Sequence, residues 1–359
     1  ELIKNKTKSK IWVLSSIPRR YGKNFLDYKL NLDLKPADKK RLKIIRFWIP
    51  FLGNGTIGSA LSYIFYLIQA VTFSFFIKPD LIFGTSAKLL TGLAAAISSK
   101  FSGSKLFLDI RDTFTDNFYY FYRWKKRVLF LSILLLLENI IIRSAYSINL
   151  VSKGFEDAYI GWEKLLIKKG VKITNFTNGI DENLLNKINK NNQIKHSYYR
   201  VIYAGNIGDG QDILSLLKDL EKNPSIVKGM MKNKIKFLIY GSGSQIYEIK
   251  KLISSGKNKK QKNPISKVVK YGGLISRNNI SKVYKNGDCL MLHLAKYKSL
   301  SMVIPSKIFE YAATNLPILY GAKGFTACFI KDLKGTITFD QNNSISFYKS
   351  ILNSMKINI

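Results

Sequence analysis

Histidine and cysteine are scarce in this chain of 359 residues, which contains two of each: His196, His293, Cys289 and Cys328. Two histidines are too few for a histidine-rich metal site. The two cysteines lie within apolar runs and lack the spacing of metal ligands. We therefore expect two buried thiols in a protein that works in a reducing compartment.

Acidic residues are also few. The chain has 23 Asp and Glu against 58 Lys and Arg, which gives a net charge of +35. Such an excess creates a positive field and favours anionic partners such as diphosphates, anionic lipid or nucleic acid. The sequence has no helix-turn-helix and no aromatic-studded RNA-binding strand, so we expect no nucleic-acid partner. An anionic membrane surface is the better candidate.

The hydrophobic runs are short. Residues 61–77 are uncharged but somewhat short for a membrane span, and we expect them to be buried in the core. Residues 118–137 place aromatic side chains and four bases before an apolar stretch, which is typical of an interfacial anchor. Core burial and membrane insertion both remain open for this segment. The sequence opens with charged rather than apolar residues, so we predict no signal peptide.

Short apolar runs alternate with helical patterns along the chain, which predicts an α/β protein with parallel sheets. The length favours two domains. We predict an N-terminal domain over residues 1–181, a polar linker over 182–200 and a C-terminal domain over 201–359. The predicted strands cover residues 11–15, 81–84, 106–110, 147–151, 201–204, 236–240, 267–271, 289–294 and 317–320. Ligands are expected at the carboxyl ends of such strands.

Residues 303–312 are the most informative segment. Pro305 suits the first turn of a helix, and Ser306 can supply a capping oxygen. The helix N-terminus would offer backbone amides to an anion, and Glu310 would lie one turn further on, on the face of Ser306 and Lys307. This arrangement suits a nucleotide sugar, with its diphosphate on the amides and its ribose on Glu310. An ordinary capped surface helix is the alternative.

Five further motifs occur in order along the chain, at residues 109–112 (DIRD), 178–181 (NGID), 203–208 (YAGNIG), 238–243 (LIYGSG) and 271–277 (YGGLISR). Together with residues 303–312, they resemble the retaining GT-B glycosyltransferases of family 4. The likeness is closest to the branch that builds O-antigen, capsule and colanic-acid type polysaccharides, including N-acetylfucosamine transferases.

The resemblance implies a GT-B fold, in which two doubly wound Rossmann-like domains face each other across a cleft. It implies transfer of a sugar from a nucleotide-sugar donor, expected to be UDP-linked, to a lipid-diphosphate-linked glycan in bacterial cell-surface polysaccharide synthesis. The expected location is the cytoplasm, on the inner face of the plasma membrane. No metal or other cofactor is expected. Compared with the family pattern, we expect the sequence to lack the first strand and the last helix, either because it is a fragment or because these parts are absent.

The resemblance also implies site residues. The implied donor-binding set is Gly205, Asn206, Gly208, Gly241, Gly272, Leu274, Arg277, Ser306, Lys307 and Glu310. Arg111 and Asp112 are expected on the acceptor side of the reacting centre, and Lys307 with them as a catalytic residue.

The chain departs from the family at two places. Asn206 stands where an Arg is common, so Lys307 is our first candidate for the missing positive charge and Arg277 the second. Met302 replaces the first of two family glutamates, which leaves the sugar contacts unassigned. Two alternatives stay open: a nucleotide-sugar 2-epimerase, which the scarcity of histidine disfavours, and a truncated, non-catalytic scaffold.

Overall fold

The computed structural model describes residues 9–16, 41–50, 56–85, 89–113, 127–156, 170–190, 196–255 and 265–357. They form two compact units. The first contains the described residues up to Ile110, together with 127–149 and 170–173. The second contains 111–113, 150–156 and the described chain from Thr174 onward.

The first unit contains two separate groups of strands. Strands β1 (Ile11–Ser16) and β2 (Leu42–Phe47) pair in parallel. A four-stranded sheet has the order β3-β4-β5-β6. Its strands are Leu81–Thr85, Lys105–Ile110, Ser147–Leu150 and Lys172–Thr174.

Three helices accompany these strands: α1 (Thr56–Ile77), α2 (Leu89–Ser102) and α3 (Arg127–Arg143). The small residues of α2 let it approach the sheet closely. A Cβ added at Gly84 of β3 would lie 2.6 Å from the Cβ of Ala95.

Helix α1 corrects one expectation, because residues 61–77 are not buried as a whole. Ala70 and Ser74 are buried, whereas Ile68 and Phe76 are 55% and 75% exposed. The run is apolar on every side, so its periodicity could not show which face packs against the unit. None of the helices among the described residues is both long and apolar enough to cross a membrane. Residues 118–126 lie outside the described chain, and α3 begins just after them.

The second unit is built on a six-stranded, all-parallel sheet with the order β12-β11-β10-β7-β8-β9. Its strands are β7 (Tyr199–Asn206), β8 (Ile235–Ser242), β9 (Val269–Gly273), β10 (Cys289–His293), β11 (Ile318–Gly321) and β12 (Thr336–Thr338). The helices are α4 (Glu182–Lys190), α5 (Ile213–Lys222), α6 (Pro224–Lys232), α7 (Ile246–Ser255), α8 (Ile280–Lys285), α9 (Lys307–Ala312), α10 (Gly324–Lys331) and α11 (Ser344–Ser354).

Apolar side chains on both faces of this sheet bury it in two hydrophobic clusters. Val201 and Tyr203 of β7 belong to one cluster, and Ile202 and Ala204 belong to the other. This alternation follows from the two-residue period of a strand, and a parallel sheet covered on both faces needs apolar residues at every position. The α/β fold class is therefore confirmed.

All the strands predicted from the sequence are present, with bounds that differ by at most two residues. Strands β2 and β12 have no counterpart among the predicted strands. The segment proposed as a linker contains α4, which buries Leu184 and Ile188 in the second unit. Cys289 is buried as expected, but Cys328 is exposed, because it lies on the outer side of α10.

Candidate functional site

The order of strands in the second unit creates a crevice. Strands β7 and β10 are neighbours, but the chain continues from β7 to β8 and β9 on one side and from β10 to β11 and β12 on the other. The loops that leave the carboxyl ends of β7 and β10 therefore diverge. Open parallel sheets bind their ligands at such a switch point.

The predicted donor-side residues all belong to the second unit. Gly205 and Asn206 end β7, and in the sheet register they lie opposite Gly241 and Ser242 of β8. Gly272 is near the end of β9, with Leu274 and Arg277 in the chain that follows. Lys307 and Glu310 lie on α9, which follows the loop after β10. The structure thus gathers residues that are far apart in sequence.

Glu310 is a buried carboxylate held by two donors. The Arg277 guanidinium donates to Oε1 at 3.0 Å, and the Tyr284 hydroxyl donates to Oε2 at 2.5 Å. In this ion pair the side chain of Glu310 is 9% exposed and that of Arg277 is 66% exposed. Burial raises the pKa of Tyr284 far above its usual range, and nearby Tyr311 and Glu310 raise it further. Tyr284 therefore stays protonated and remains a hydrogen-bond donor.

Lys307 lies against the end of β7. A Cβ at Gly205 would come within 2.6 Å of Lys307 Cε, so the glycine makes room for the lysine side chain. Burial lowers the pKa of Lys307, the charge of Glu310 opposes this effect, and Arg277 adds to it. Within the described residues, no carboxylate lies within 4.0 Å of the ammonium group. A partly desolvated cation beside a glycine-rich loop favours the approach of an anion.

The glycines of the site divide into two groups. Side chains at Gly241 and Gly272 would clash with the Gly205 carbonyl oxygen and the Tyr240 ring, and Gly241 also has φ +132°. Packing alone requires these two glycines. A Cβ at Gly208 would meet the polar tips of Asn206 and Ser244, at 3.0 and 3.3 Å. At Gly210 it would meet only Leu300, at 3.8 Å, so packing does not require glycine there.

Ser306 does not cap α9 with its side chain, contrary to the prediction from the sequence. It has the αR conformation and its side chain makes no capping hydrogen bond, because the chain is already turning at Pro305, whose carbonyl accepts from Ile308. Helix α9 has only six residues. Lys307 and Glu310, rather than a long helix N-terminus, therefore carry the charge of the site. Met302 is 8% exposed and contributes no carboxylate.

Arg111 and Asp112 follow β4 and belong to the second unit. Burial raises the pKa of the Asp112 carboxyl to about 6, and the positive charge of Arg111 partly opposes the rise. Asp112 therefore changes its charge close to neutral pH. Asp109 accepts a hydrogen bond from Asn149 at 2.8 Å within the first unit, so it has a structural role there.

Sequence reasoning missed Tyr284 and His293. Tyr284 looks like an ordinary core residue of α8, and its bond to a residue 26 positions away leaves no local pattern. His293 is a polar residue that ends a buried strand at the switch point, which is a signal that could have identified it. Among the described residues, no group of three or more His, Cys, Asp and Glu side chains is placed to hold a metal ion.

Comparison with solved structures identifies the fold. Anabaena Alr3699/HepE, solved in complex with UDP and glucose, superimposes with a TM-score of 0.59 at 15% identity, covering 89% of this chain and 78% of that one. The sucrose-phosphate synthase of Thermosynechococcus elongatus gives 0.62 at 12% identity, with 89% and 81% coverage. A glycosyltransferase from Rickettsia africae gives 0.58 at 12% identity, with 97% and 89% coverage.

The chain shares the α/β, parallel-sheet fold of these solved structures. No protein-family model matches the chain, and no curated protein matches its sequence. The identities to the solved structures are low, so the likeness establishes the α/β, parallel-sheet fold and no more.

Alanine substitution should lower the stability of the protein much more in the first group of glycines than in the second. Gly241→Ala should lower the free energy of unfolding by roughly 2–4 kcal/mol, because it combines a backbone clash with an unfavourable φ. Gly210→Ala, the matched control, should change it by less than about 1 kcal/mol. Urea unfolding of both variants checks this. Equal destabilisation by the two substitutions would contradict the division.

The raised pKa of Asp112 predicts a pH-dependent stability. Its folded-state pKa lies above the ordinary value, so between pH about 4 and 6 the folded chain binds more protons than the unfolded chain. The Asp112 contribution to stability therefore falls as pH rises through this window. Asp112→Asn should be more stable than wild type at pH 7 by on the order of 1–3 kcal/mol, and about equal to it at pH 4.

Urea unfolding at both pH values tests this expectation, with the exposed Asp332→Asn as the control. A difference between wild type and Asp112→Asn that does not change with pH would contradict the assignment.

Proposed function

We propose that this protein is a glycosyltransferase that binds a UDP-sugar in the second unit and transfers its sugar to an acceptor hydroxyl. The observation that carries the proposal is the placement of Lys307, Glu310 and Arg277 beside the glycine-rich end of β7, at the switch point of the sheet. The likeness to structures that contain UDP and UDP-glucose supports a nucleotide-sugar donor.

Glu310 would bind the ribose. Each of its oxygens already accepts one hydrogen bond, from Arg277 and from Tyr284. A carboxylate oxygen can accept a second, so the two ribose hydroxyls can both donate to it. Tyr284 and Arg277 thus hold the carboxylate in one orientation, which lowers the entropic cost of binding. The loop after β9, with Leu274, would contact the base.

Lys307 would neutralise the diphosphate. Its ammonium is partly desolvated, and a nearby anion would offset that cost more strongly than in water. Arg277 is largely exposed and can turn toward the same anion. The backbone of Gly208 and Gly210 can approach phosphate oxygens, because no side chain of their own stands in the way.

The reaction breaks the bond between the sugar anomeric carbon and the diphosphate oxygen, and it forms a bond from that carbon to the acceptor oxygen. Charge grows on the leaving diphosphate, where Lys307 and Arg277 stabilise it. In the retaining mechanism that we propose, the acceptor proton passes to the leaving phosphate, so the protein needs no dedicated base. Asp112 and Arg111 would bind and orient the acceptor.

The proposed acceptor and the proposed location at a membrane surface are supported by the sequence resemblance and by the net charge. The motif set favours the polysaccharide branch of family 4, and hence a lipid-diphosphate-linked glycan as acceptor. The net charge of +35 would attract the chain to the anionic inner face of a bacterial plasma membrane. These features support the proposal of a membrane-surface transferase that acts on a growing surface glycan.

Calorimetry with UDP tests the donor site. We expect UDP to bind the wild-type chain, and Lys307→Met to weaken binding about tenfold or more, because one charged contact is lost. The substitution should leave the unfolding free energy unchanged or raise it, since it removes a desolvated charge. Glu310→Gln, which keeps an acceptor for Tyr284, should also weaken binding about tenfold.

The control is Lys349→Met, which removes an exposed lysine on α11 and should bind UDP like wild type. Two results would refute the donor site: no UDP binding by the folded wild-type chain, or equal binding by the Lys307→Met and Lys349→Met variants.

A further inference from the structure

His293 is a buried side chain that the proposed transfer chemistry does not use. It ends β10 at the switch point and is 1% exposed. Its ring stacks on Phe339, with centroids 5.7 Å apart and planes 19° apart. Gly321 of β11 makes room for both rings, because a Cβ there would lie 2.7 Å from His293 and 2.8 Å from Phe339. Glycine at position 321 thus leaves the space that the two stacked rings fill.

The partners of the ring determine its tautomer. The backbone N–H of Asn342 donates to Nε2 at 3.2 Å, so Nε2 carries no proton. The proton of the neutral ring is then on Nδ1, which donates to the Gln211 carbonyl at 2.6 Å. Burial lowers the pKa of His293 and nearby Lys296 adds to this, while Gln211 and Asp212 oppose it. The neutral, Nδ1-protonated ring is therefore the form at pH 7.

His293 is tied through Gln211 to the loop that follows β7. We call residues 206–212 the donor loop. The Gln211 side-chain carbonyl accepts from Asn206 Nδ2 at 2.7 Å, while its backbone carbonyl is held by His293. One residue thus connects the imidazole to the start of the donor loop. The Ala295 N–H, two residues after His293, donates to the Gly210 carbonyl at 2.9 Å.

A second contact ties the end of the donor loop to the residue that donates to His293. Asn342 Nδ2 donates to Asp212 Oδ2 at 2.8 Å. Both residues have left-handed backbones, with φ +59° and φ +47°, a conformation in which Asn and Asp are favoured over most other residues. Asn342 therefore holds the ring of His293 with its backbone and the donor loop with its side chain.

We propose that His293 is a positioning residue, whose neutral imidazole holds the donor loop in the shape that receives the donor diphosphate. The proposal rests on the proposed function, because it assumes that this loop contacts the nucleotide. Three hydrogen bonds from the end of β10 and from Asn342 fix the loop at Gly210, Gln211 and Asp212. A loop ordered before binding spends less of the binding energy on its own ordering.

A near-isosteric pair of variants tests the hydrogen bond separately from the ring packing. His293→Asn places an amide donor close to the Nδ1 position, whereas His293→Leu has a similar shape and no donor. Both lose the stacking on Phe339. By UDP calorimetry we expect the Leu variant to bind about tenfold more weakly than wild type, and the Asn variant to stay within about threefold.

Equal affinities of the two folded variants would overturn the proposal. If UDP does not bind wild type, the proposed function fails instead, and the two failures are thereby distinguished.

Nuclear magnetic resonance with 15N-labelled histidine tests the proposal on the His293 ring itself rather than on a substituted side chain. The chain has only two histidines, so His196→Gln assigns both imidazoles. We expect His293 to be the Nδ1-protonated neutral tautomer without nucleotide, and its ring signals to shift when UDP saturates the chain. An Nε2-protonated ring, or signals unchanged at saturation, would overturn the proposal.

Discussion

The second unit depends on one topological constraint, the reversal of strand order between β7 and β10. Parallel strands need crossover connections, and the chain uses them to extend the sheet first on one side and then on the other. The reversal separates the loops at the carboxyl ends of β7 and β10. It also brings Gly205, Arg277 and Lys307 to the same edge of the sheet, although about a hundred residues separate the first from the last. The candidate site is a consequence of this order.

Charge gives the crevice its chemical character. Glu310 is buried but doubly hydrogen-bonded, so its ionised form is satisfied within the protein. Lys307 differs, because burial lowers its pKa and no carboxylate lies within ion-pair distance among the described residues. Keeping a partly desolvated cation without a close counter-ion is unfavourable, and a bound diphosphate would reverse that cost. The lack of a close carboxylate among the described residues favours an anion-binding role of Lys307 over a purely structural one.

Much of the fold could be predicted from the sequence, because buried parallel strands leave continuous apolar runs such as residues 201–204. The candidate site could be predicted only in part. The ion pair of Arg277 with Glu310 joins residues 33 positions apart, and no local pattern encodes it. The prediction that Ser306 caps α9 is wrong, because the chain already turns at Pro305. The exposed face of α1 could not be predicted, since an apolar helix without a polar stripe does not show which side packs.

We propose that a nucleoside diphosphate binds at the switch point of the second unit. Hydrogen–deuterium exchange, compared with and without UDP at saturation, tests it most directly. We expect slower exchange in peptides that cover residues 205–212, 272–277 and 306–310, with little change in β1 to β6. Protection confined to other segments, at a UDP concentration that calorimetry shows to be saturating, would contradict it.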